Sequence, residues 1–351
     1  MEFIAEYGLF LAKSVTVLVV IVFIIGFAVS MGHKHKGGDK GHFEVTKLNE
    51  DYEDVQETLK DAITEHHQRK LELKAQRKKE KQEEKERKKA LAKTDEEEIP
   101  AKRVFVVDFE GDIKASAVDT MREIITGILS VAGPQDEVVV RLESGGGMVH
   151  SYGLASSQLD RIKKQGVGLT VCVDKVAASG GYMMACVADR ILAAPFAIMG
   201  SIGVLAQIPN FHRLLKKHDI DFEELTAGEY KRTLTMFGEN DDKDRAKFVE
   251  DLEDTHRLFK EFVSQHRPAV NIEEVANGDV WYGKRALDNA LIDELKTSDE
   301  YLIEKIREGD VYHVEFVHKK TLQEKLGISI SAAADRLLLT WLSRLNAKRF
   351  F

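Results

Sequence analysis

Apolar and polar positions fall into three regimes along the chain. From Ser14 to Met31, SVTVLVVIVFIIGFAVSM, eighteen residues pass without a charge. At about 1.5 Å of rise per residue this nearly matches a hydrocarbon core about 30 Å thick, so a transmembrane helix is predicted. Leu9, Phe10 and Leu11 lengthen the stretch, and Lys13 can snorkel from its end. A cleaved signal peptide is the alternative, with Ala28 and Ser30 as small residues before the cut; Glu2 and Glu6 stand where its basic leader would be. A second apolar run, Met183 to Gln207, carries Asp189, Arg190 and Pro195 in its middle and is read as buried core.

In the second regime, Asp51 to Lys93, Glu, Lys, Arg, Gln and Ala dominate, and Pro and Gly are absent. Tyr52, Val55, Leu59 and Ile63 recur at helical spacing, and almost only charged residues follow. The pattern predicts a long helix that packs or self-associates at its start and is solvated later; a disordered charged linker is the alternative. Pro100 closes the segment as a natural boundary.

From Arg103 short β-rich runs alternate with helical ones. Strands are predicted at Val104–Phe109, Glu137–Leu142, Gly168–Val173 and Arg190–Ala194, and helices at Ser116–Ala132, Met148–Lys164 and Ser179–Ala188. Alternation of this kind favours right-handed crossovers and a mostly parallel sheet, so the class is α/β. Helices dominate later, at Asn210–His218, Asp241–Gln265 and Gly283–Asn289. Near the end, Leu337, Leu338, Leu339, Trp341, Leu342 and Leu345 lie among basic residues, the pattern of an amphipathic helix that packs on a partner or lies on a membrane surface.

With 351 residues and 43% apolar side chains, the chain can bury a sizeable core. Its composition excludes collagen-like, wholly disordered and disulfide-framework classes; the only two cysteines, Cys172 and Cys186, sit in apolar surroundings and read as core residues. The net charge of −8 argues against nucleic acid as a partner, but it is an average over unlike parts. Arg69–Lys93 alone carries 12 Lys/Arg against 5 Asp/Glu. Lys34, Lys36, Lys40 and Lys47 follow the apolar span while one lysine precedes it, a bias that places the bulk of the protein in the cytoplasm. His33 and His35, flanked by lysines, read as solvated linker, and no metal site is assigned.

Two glycine-rich turns stand at ends of predicted strands: Leu142-Glu-Ser-Gly-Gly-Gly-Met148 and Lys175-Val-Ala-Ala-Ser-Gly-Gly-Tyr182. Neither has the spacing of a dinucleotide or P-loop motif. Acyl transfer fits better, since it needs an exposed nucleophile, a base, and backbone N–H groups facing an oxyanion. Ser179, between a strand and a helix, supplies a nucleophile, and Gly146, Gly147 and Gly180 supply N–H groups that a substrate can approach closely. The alternative is that small residues simply make tight turns. For the base, none of His150, His212, His218, His256, His266, His313 or His318 has a distinctive context. Lys231 is a second kind of candidate, provided burial among Tyr230, Leu234, Met236 and Phe237 lowers its amine from about 10.4 toward 7. An exposed lysine is the plainer reading of the residues alone.

Glu143-Ser-Gly-Gly-Gly-Met-Val149, Val176-Ala-Ala-Ser-Gly-Gly-Tyr-Met-Met-Ala185, Gly200-Ser-Ile-Gly-Val204, Ala227-Gly-Glu-Tyr-Lys-Arg232 and Trp281-Tyr-Gly-Lys-Arg-Ala286 with Ile292-Asp-Glu-Leu295 follow in the order seen in the signal peptide peptidase A family. The chain resembles that family of membrane serine peptidases from about Val104 to Leu295, and in its anchor, charged segment and single catalytic copy resembles the short inner-membrane members. The resemblance implies a ClpP/crotonase-like fold and a Ser-Lys dyad, with Ser179 as nucleophile, Lys231 as general base, and Gly146, Gly147 and Gly180 at the oxyanion positions. It implies no cofactor. Peptide or protein substrates, a lipid bilayer, and a homo-oligomer whose dyad is shared between protomers are the implied partners. Gly145 departs from the family, which usually has proline there. Where ClpP places its histidine this chain has Gly203-Val204-Leu205. The resemblance also implies a bacterial inner-membrane protein with a single span and a periplasmic catalytic domain, against the lysine bias above. A non-catalytic membrane scaffold and a crotonase-type acyl-CoA enzyme are the competing readings. The expected division is an anchor over 1–32, a charged linker or stalk over 33–100, a peptidase domain over 101–300, and an extension with the amphipathic helix over 301–351.

Overall fold

The computed structural model describes residues 41–64 and 102–318, with isolated positions at 13, 69, 78, 81, 82 and 85. The predicted span at 14–31, the basic half of the stalk and the terminal amphipathic segment lie outside the described residues. Among the described residues no helix is long and apolar enough to cross a membrane. Residues Phe43–Val317 form one compact unit.

The elements run β1 (His42–Lys47), α1 (Leu48–Ile63), β2 (Arg103–Gly111), α2 (Val118–Leu129), β3 (Glu137–Ser144), α3 (Val149–Lys164), β4 (Gly168–Val173) and β5 (Val176–Ala178). They continue with α4 (Gly180–Ala185), β6 (Arg190–Ala193), β7 (Ile198–Gly200), α5 (His212–Lys217), α6 (Asp242–His266), α7 (Ile272–Val275) and β8 (Val280–Tyr282). The last four are α8 (Gly283–Asp288), β9 (Glu294–Leu295), α9 (Ser298–Glu308) and β10 (Asp310–Val317). The sheet has the order β1-β10-β2-β3-β4-β6-β9. From β10 through β9 every neighbouring pair is parallel. The α/β expectation holds, and the arrangement is consistent with the expected ClpP-like fold.

Strands buried on both faces need continuous apolar runs, and β2, β3 and β4 have them. Because side chains alternate, Phe105, Val107, Phe109, Val138, Val140, Leu142, Leu169 and Val171 pack on one side with α2, α3 and α4. Val104, Val106, Val139, Cys172 and Leu192 face the other side, where Tyr301 and Leu302 of α9 cover them. Capping boxes fix the starts of α6, with Asp241 and Asp244, and of α9, with Thr297 and Glu300. The run Met183–Gln207 is core, as expected, over most of its length through Ile202, as the end of α4, then β6 and β7, but Phe196 and Leu205 are exposed. Cys172 and Cys186 are buried free thiols.

The compact unit reaches beyond the expected 101–300 at both ends. Residues 310–317 form β10, in register with β2 from Asp310↔Arg103 to His313↔Val106, and β1 pairs with β10. Asn49, in the first turn of α1, donates through Nδ2 to the Ile306 and Gly309 carbonyls at 3.1 and 2.9 Å, and its Oδ1 accepts from Val311 N–H at 2.8 Å. The helical start of the stalk is thereby docked on the sheet. Further along α1 the stripe Val55, Leu59 and Ile63 is exposed.

Near the carboxyl end of β3 the sheet branches. Ser144 of β3 pairs with Ala177 of β5, and Ala178 pairs with Gly200 of β7. β7 runs antiparallel to β8. This branch carries the serine-bearing turn.

Candidate active site

Ser179 follows β5 directly and precedes the first residue of α4. Its backbone sits at φ +52°, ψ −120°, a conformation that L side chains rarely adopt and that costs about 1–3 kcal/mol. The turn is held there from both sides: Ser179 N–H donates to the Gly200 carbonyl at 2.7 Å, and the Ser179 carbonyl accepts from Met183 N–H at 2.9 Å. The side chain is half-buried, and its hydroxyl has no hydrogen-bond partner among the described residues. Helix α4 is only six residues long, so the local N–H of Gly180, rather than a macrodipole, is the favourable electrostatic feature.

The two glycine turns meet. Gly146, at φ +87°, lies so close to the serine that a Cβ on it would stand 2.7 Å from Ser179 Cβ and 2.7 Å from Gly180 N. Gly147 is pressed on the backbone of Ile113, where a Cβ would fall 2.1 Å from the carbonyl oxygen. Met148 N–H donates to that same oxygen at 2.8 Å. The turn is therefore clamped between the 112–116 loop and the serine. Positive φ at Ser179, Gly200 and Ser201 concentrates strain in the neighbouring turns as well.

Of the three glycines, Gly146 spends its N–H on Ser144 Oγ at 3.1 Å. The N–H groups of Gly147 and Gly180 have no acceptor among the described residues. Ser144 and Tyr152 were not singled out by sequence reasoning. Their only sequence signal is position, one ending the strand before the first glycine turn and the other one turn into the helix after it. Tyr152 is fully buried, and burial raises its phenol above the usual range.

Lys231 makes no hydrogen bond to Ser179 among the described residues. It lies in the long stretch between β7 and α6, its side chain is exposed, and its amine has no hydrogen-bond or ion-pair partner among the described residues. The apolar shelter expected around it is incomplete, because Tyr230, Met236 and Phe237 are themselves exposed at 55%, 41% and 40%. Phe237 stacks with Phe211 at 6.0 Å and lies tilted against Phe222 at 5.7 Å, a small aromatic cluster local to this stretch. Thr235 Oγ1 donates to Glu224 and accepts from Gly238 N–H, closing its own turn. No histidine hydrogen-bonds to Ser179 among the described residues: His256 Nε2 donates to the Ile202 carbonyl and His313 is paired with Asp108.

Comparison with known proteins identifies the family. Residues 2–159 match the peptidase family S49 N-terminal model and residues 161–311 the peptidase family S49 model. The chain is 48% identical over 338 residues to probable protease SohB of Haemophilus influenzae, covering 96% of each chain. The chain belongs to peptidase family S49. Within it the chain is SohB-like: it is also 52% identical over 238 residues to probable protease SohB of Buchnera aphidicola from Acyrthosiphon pisum, covering 68% of this chain and 71% of that one. Similarity to protease 4 of Haemophilus influenzae is lower, 29% over 205 residues, and covers 32% of that longer protein. An S49 member is a protease, and peptides or proteins are its substrates.

Proposed function

We propose that this S49 protease is a membrane-anchored serine endopeptidase in which Ser179 is the nucleophile and Lys231 the general base. The single observation that carries the reading is Ser179 itself, held at positive φ with an unpartnered hydroxyl and the bare α-carbon of Gly146 against it. A strained, half-buried serine where two glycine turns meet has no packing role to account for the strain, whereas a nucleophile needs an accessible hydroxyl.

In this reaction neutral Lys231 takes the Ser179 proton as Oγ attacks a peptide carbonyl. Negative charge develops on the carbonyl oxygen, which Gly146, Gly147 and Gly180 surround, with the N–H groups of Gly147 and Gly180 as donors. The lysine ammonium then protonates the departing amine, and an acyl ester remains on Ser179. Water, deprotonated by Lys231, hydrolyses the ester and restores the serine. The dyad requires neither metal nor cofactor for these steps.

An amine serves as base only when removed from water. A second copy supplies that cover in this reading. Leu205, Leu225, Tyr230 and Phe237 leave the lysine-bearing stretch with an apolar surface, which favours a homo-oligomer whose serine and lysine come from different protomers. The span at 14–31 anchors the protein in the bacterial inner membrane with the catalytic unit in the periplasm. Its substrates there are signal peptides or misfolded and membrane-derived polypeptides.

The test is cleavage of an unfolded polypeptide together with labelling of Ser179 by a fluorophosphonate. Ser179→Ala and Lys231→Ala are each expected to abolish cleavage with assembly intact, and mixing the two variants to restore part of it. Normal turnover in either single variant overturns the dyad; a wild type that neither cleaves nor labels at Ser179 favours a non-catalytic scaffold on the same fold.

A further inference from the structure

The two glycine turns are joined behind the serine by a buried chain of hydroxyl groups. Ser144, 2% exposed, accepts from Gly146 N–H at 3.1 Å and lies 2.6 Å from the Tyr152 hydroxyl. Tyr152 donates to the Asp112 carbonyl at 2.7 Å. A phenol has one proton, and the Asp112 carbonyl can only accept, so that proton is committed. Ser144 must therefore donate its own proton to Tyr152, which leaves a lone pair on Ser144 Oγ for the Gly146 N–H. The direction is fixed throughout: Gly146 N–H to Ser144, Ser144 to Tyr152, Tyr152 to Asp112. A chain of donors aligned in one sense, away from water, polarises and strengthens each of its links.

Packing ties the same residues to the nucleophile's side. A Cβ on Gly180 would stand 2.4 Å from Tyr152 Cγ, so the ring lies directly under the first residue of α4. A Cβ on Gly181 would stand 2.4 Å from the Ser144 carbonyl oxygen. Gly111 closes the remaining space, since a Cβ there would lie 2.5 Å from both the Ser144 and Tyr152 hydroxyl oxygens. One end of Tyr152 thus fixes the height of Gly180, and its other end, through Ser144, fixes Gly146.

We propose that Ser144 and Tyr152 are positioning residues that set the separation of the two turns, and with it the distance between the Gly147 and Gly180 N–H groups across the oxyanion site. The inference rests on the reading of Ser179 as nucleophile. Neither hydroxyl touches substrate; both act through the glycines. Because an oxyanion appears only in the transition state, loosening the chain lowers kcat and the rate of phosphonylation while leaving KM nearly unchanged.

The experiment uses the full-length protein in detergent. Tyr152→Phe keeps the ring under Gly180 and removes the hydroxyl with its bonds to Ser144 and Asp112, and Ser144→Ala removes the acceptor for Gly146. Each is expected to lower kcat on an unfolded polypeptide at least tenfold, with KM within twofold, and to slow fluorophosphonate labelling of Ser179 to match. The double variant is expected within twofold of the slower single one, because both break the same chain. Urea midpoints measured alongside show whether the variants remain folded under assay conditions. Labelling of both variants at the wild-type rate overturns the proposal, as does a loss that follows the unfolded fraction or appears in KM alone. Failure of the underlying reading looks different: the wild type itself is then unlabelled at Ser179 and Ser179→Ala retains turnover.

Discussion

The three adjacent glycines of the first turn are expected to respond in opposite ways to a single methyl group. Gly146→Ala forces an L side chain into φ +87° and sets its Cβ 2.7 Å from Ser179 Cβ and 2.8 Å from the Ala178 carbonyl oxygen. The left-handed backbone costs about 1–2 kcal/mol. Overpacking against backbone and the β5 end adds about 1–3 kcal/mol. The expected loss is about 2–5 kcal/mol, a large share of a typical stability of about 5–15 kcal/mol. Gly147→Ala meets the Ile113 carbonyl at 2.1 Å and belongs with it. At Gly145 an added Cβ has no neighbour within 4 Å, so Gly145→Ala is expected to stabilise by about 0.4–1 kcal/mol through the unfolded chain. Urea unfolding reads the difference as a midpoint about 1–2 M lower for Gly146→Ala at unchanged slope, with Gly145→Ala at or above wild type. Fluorophosphonate labelling of Ser179 is expected to vanish in the first and persist in the second. Equal stability and labelling in Gly145→Ala and Gly146→Ala refutes the claim that the second glycine is required by its contact with the nucleophile.

Two further expectations concern stability. Burial acts to raise the Asp108 carboxyl, but hydrogen bonds from His313 at 3.1 Å and from Arg141 at 2.5 and 2.6 Å outweigh it and hold its pKa at about 2. A depressed carboxylate pKa stabilises above the unfolded value near 4 and loses that contribution as pH falls through about 2. With the pair partly exposed and screened, Asp108→Asn is expected to cost about 1 kcal/mol at pH 7, a difference that closes between pH 4 and pH 2 in urea titrations; a gap independent of pH refutes it. Asn49→Ala removes three hydrogen bonds and leaves the Val311 N–H and two carbonyls without their partner. It is expected to cost about 1–3 kcal/mol and to expose residues 43–63 to limited proteolysis; an unchanged digestion pattern counts against the docking of α1.

The sequence by itself determined the middle of the sheet and the two turns. β4 lies at the predicted Gly168–Val173, and β2 and β3 extend the predicted strands by one or two residues, because a strand buried on both faces is apolar throughout and shows itself locally. Ser179 and the glycines stood out for the same reason: small residues between a strand and a helix are a local signal. The chain did not disclose β10, although Asp310–Val317 alternates polar and apolar residues, because its partner β2 lies some 200 residues away and nothing local names it. The short strands β5, β7 and β8 are three residues each, too few for a period, and exist through their register with β3 and with one another. Tertiary structure alone decided that Gly146 abuts Ser179, that Ser144, Tyr152 and Asp112 join in one chain, and that the Lys231 side chain stays exposed. Each of these depends on segments far apart in sequence meeting at a fixed register, and local periodicity records which face a residue presents, never which distant residue it meets.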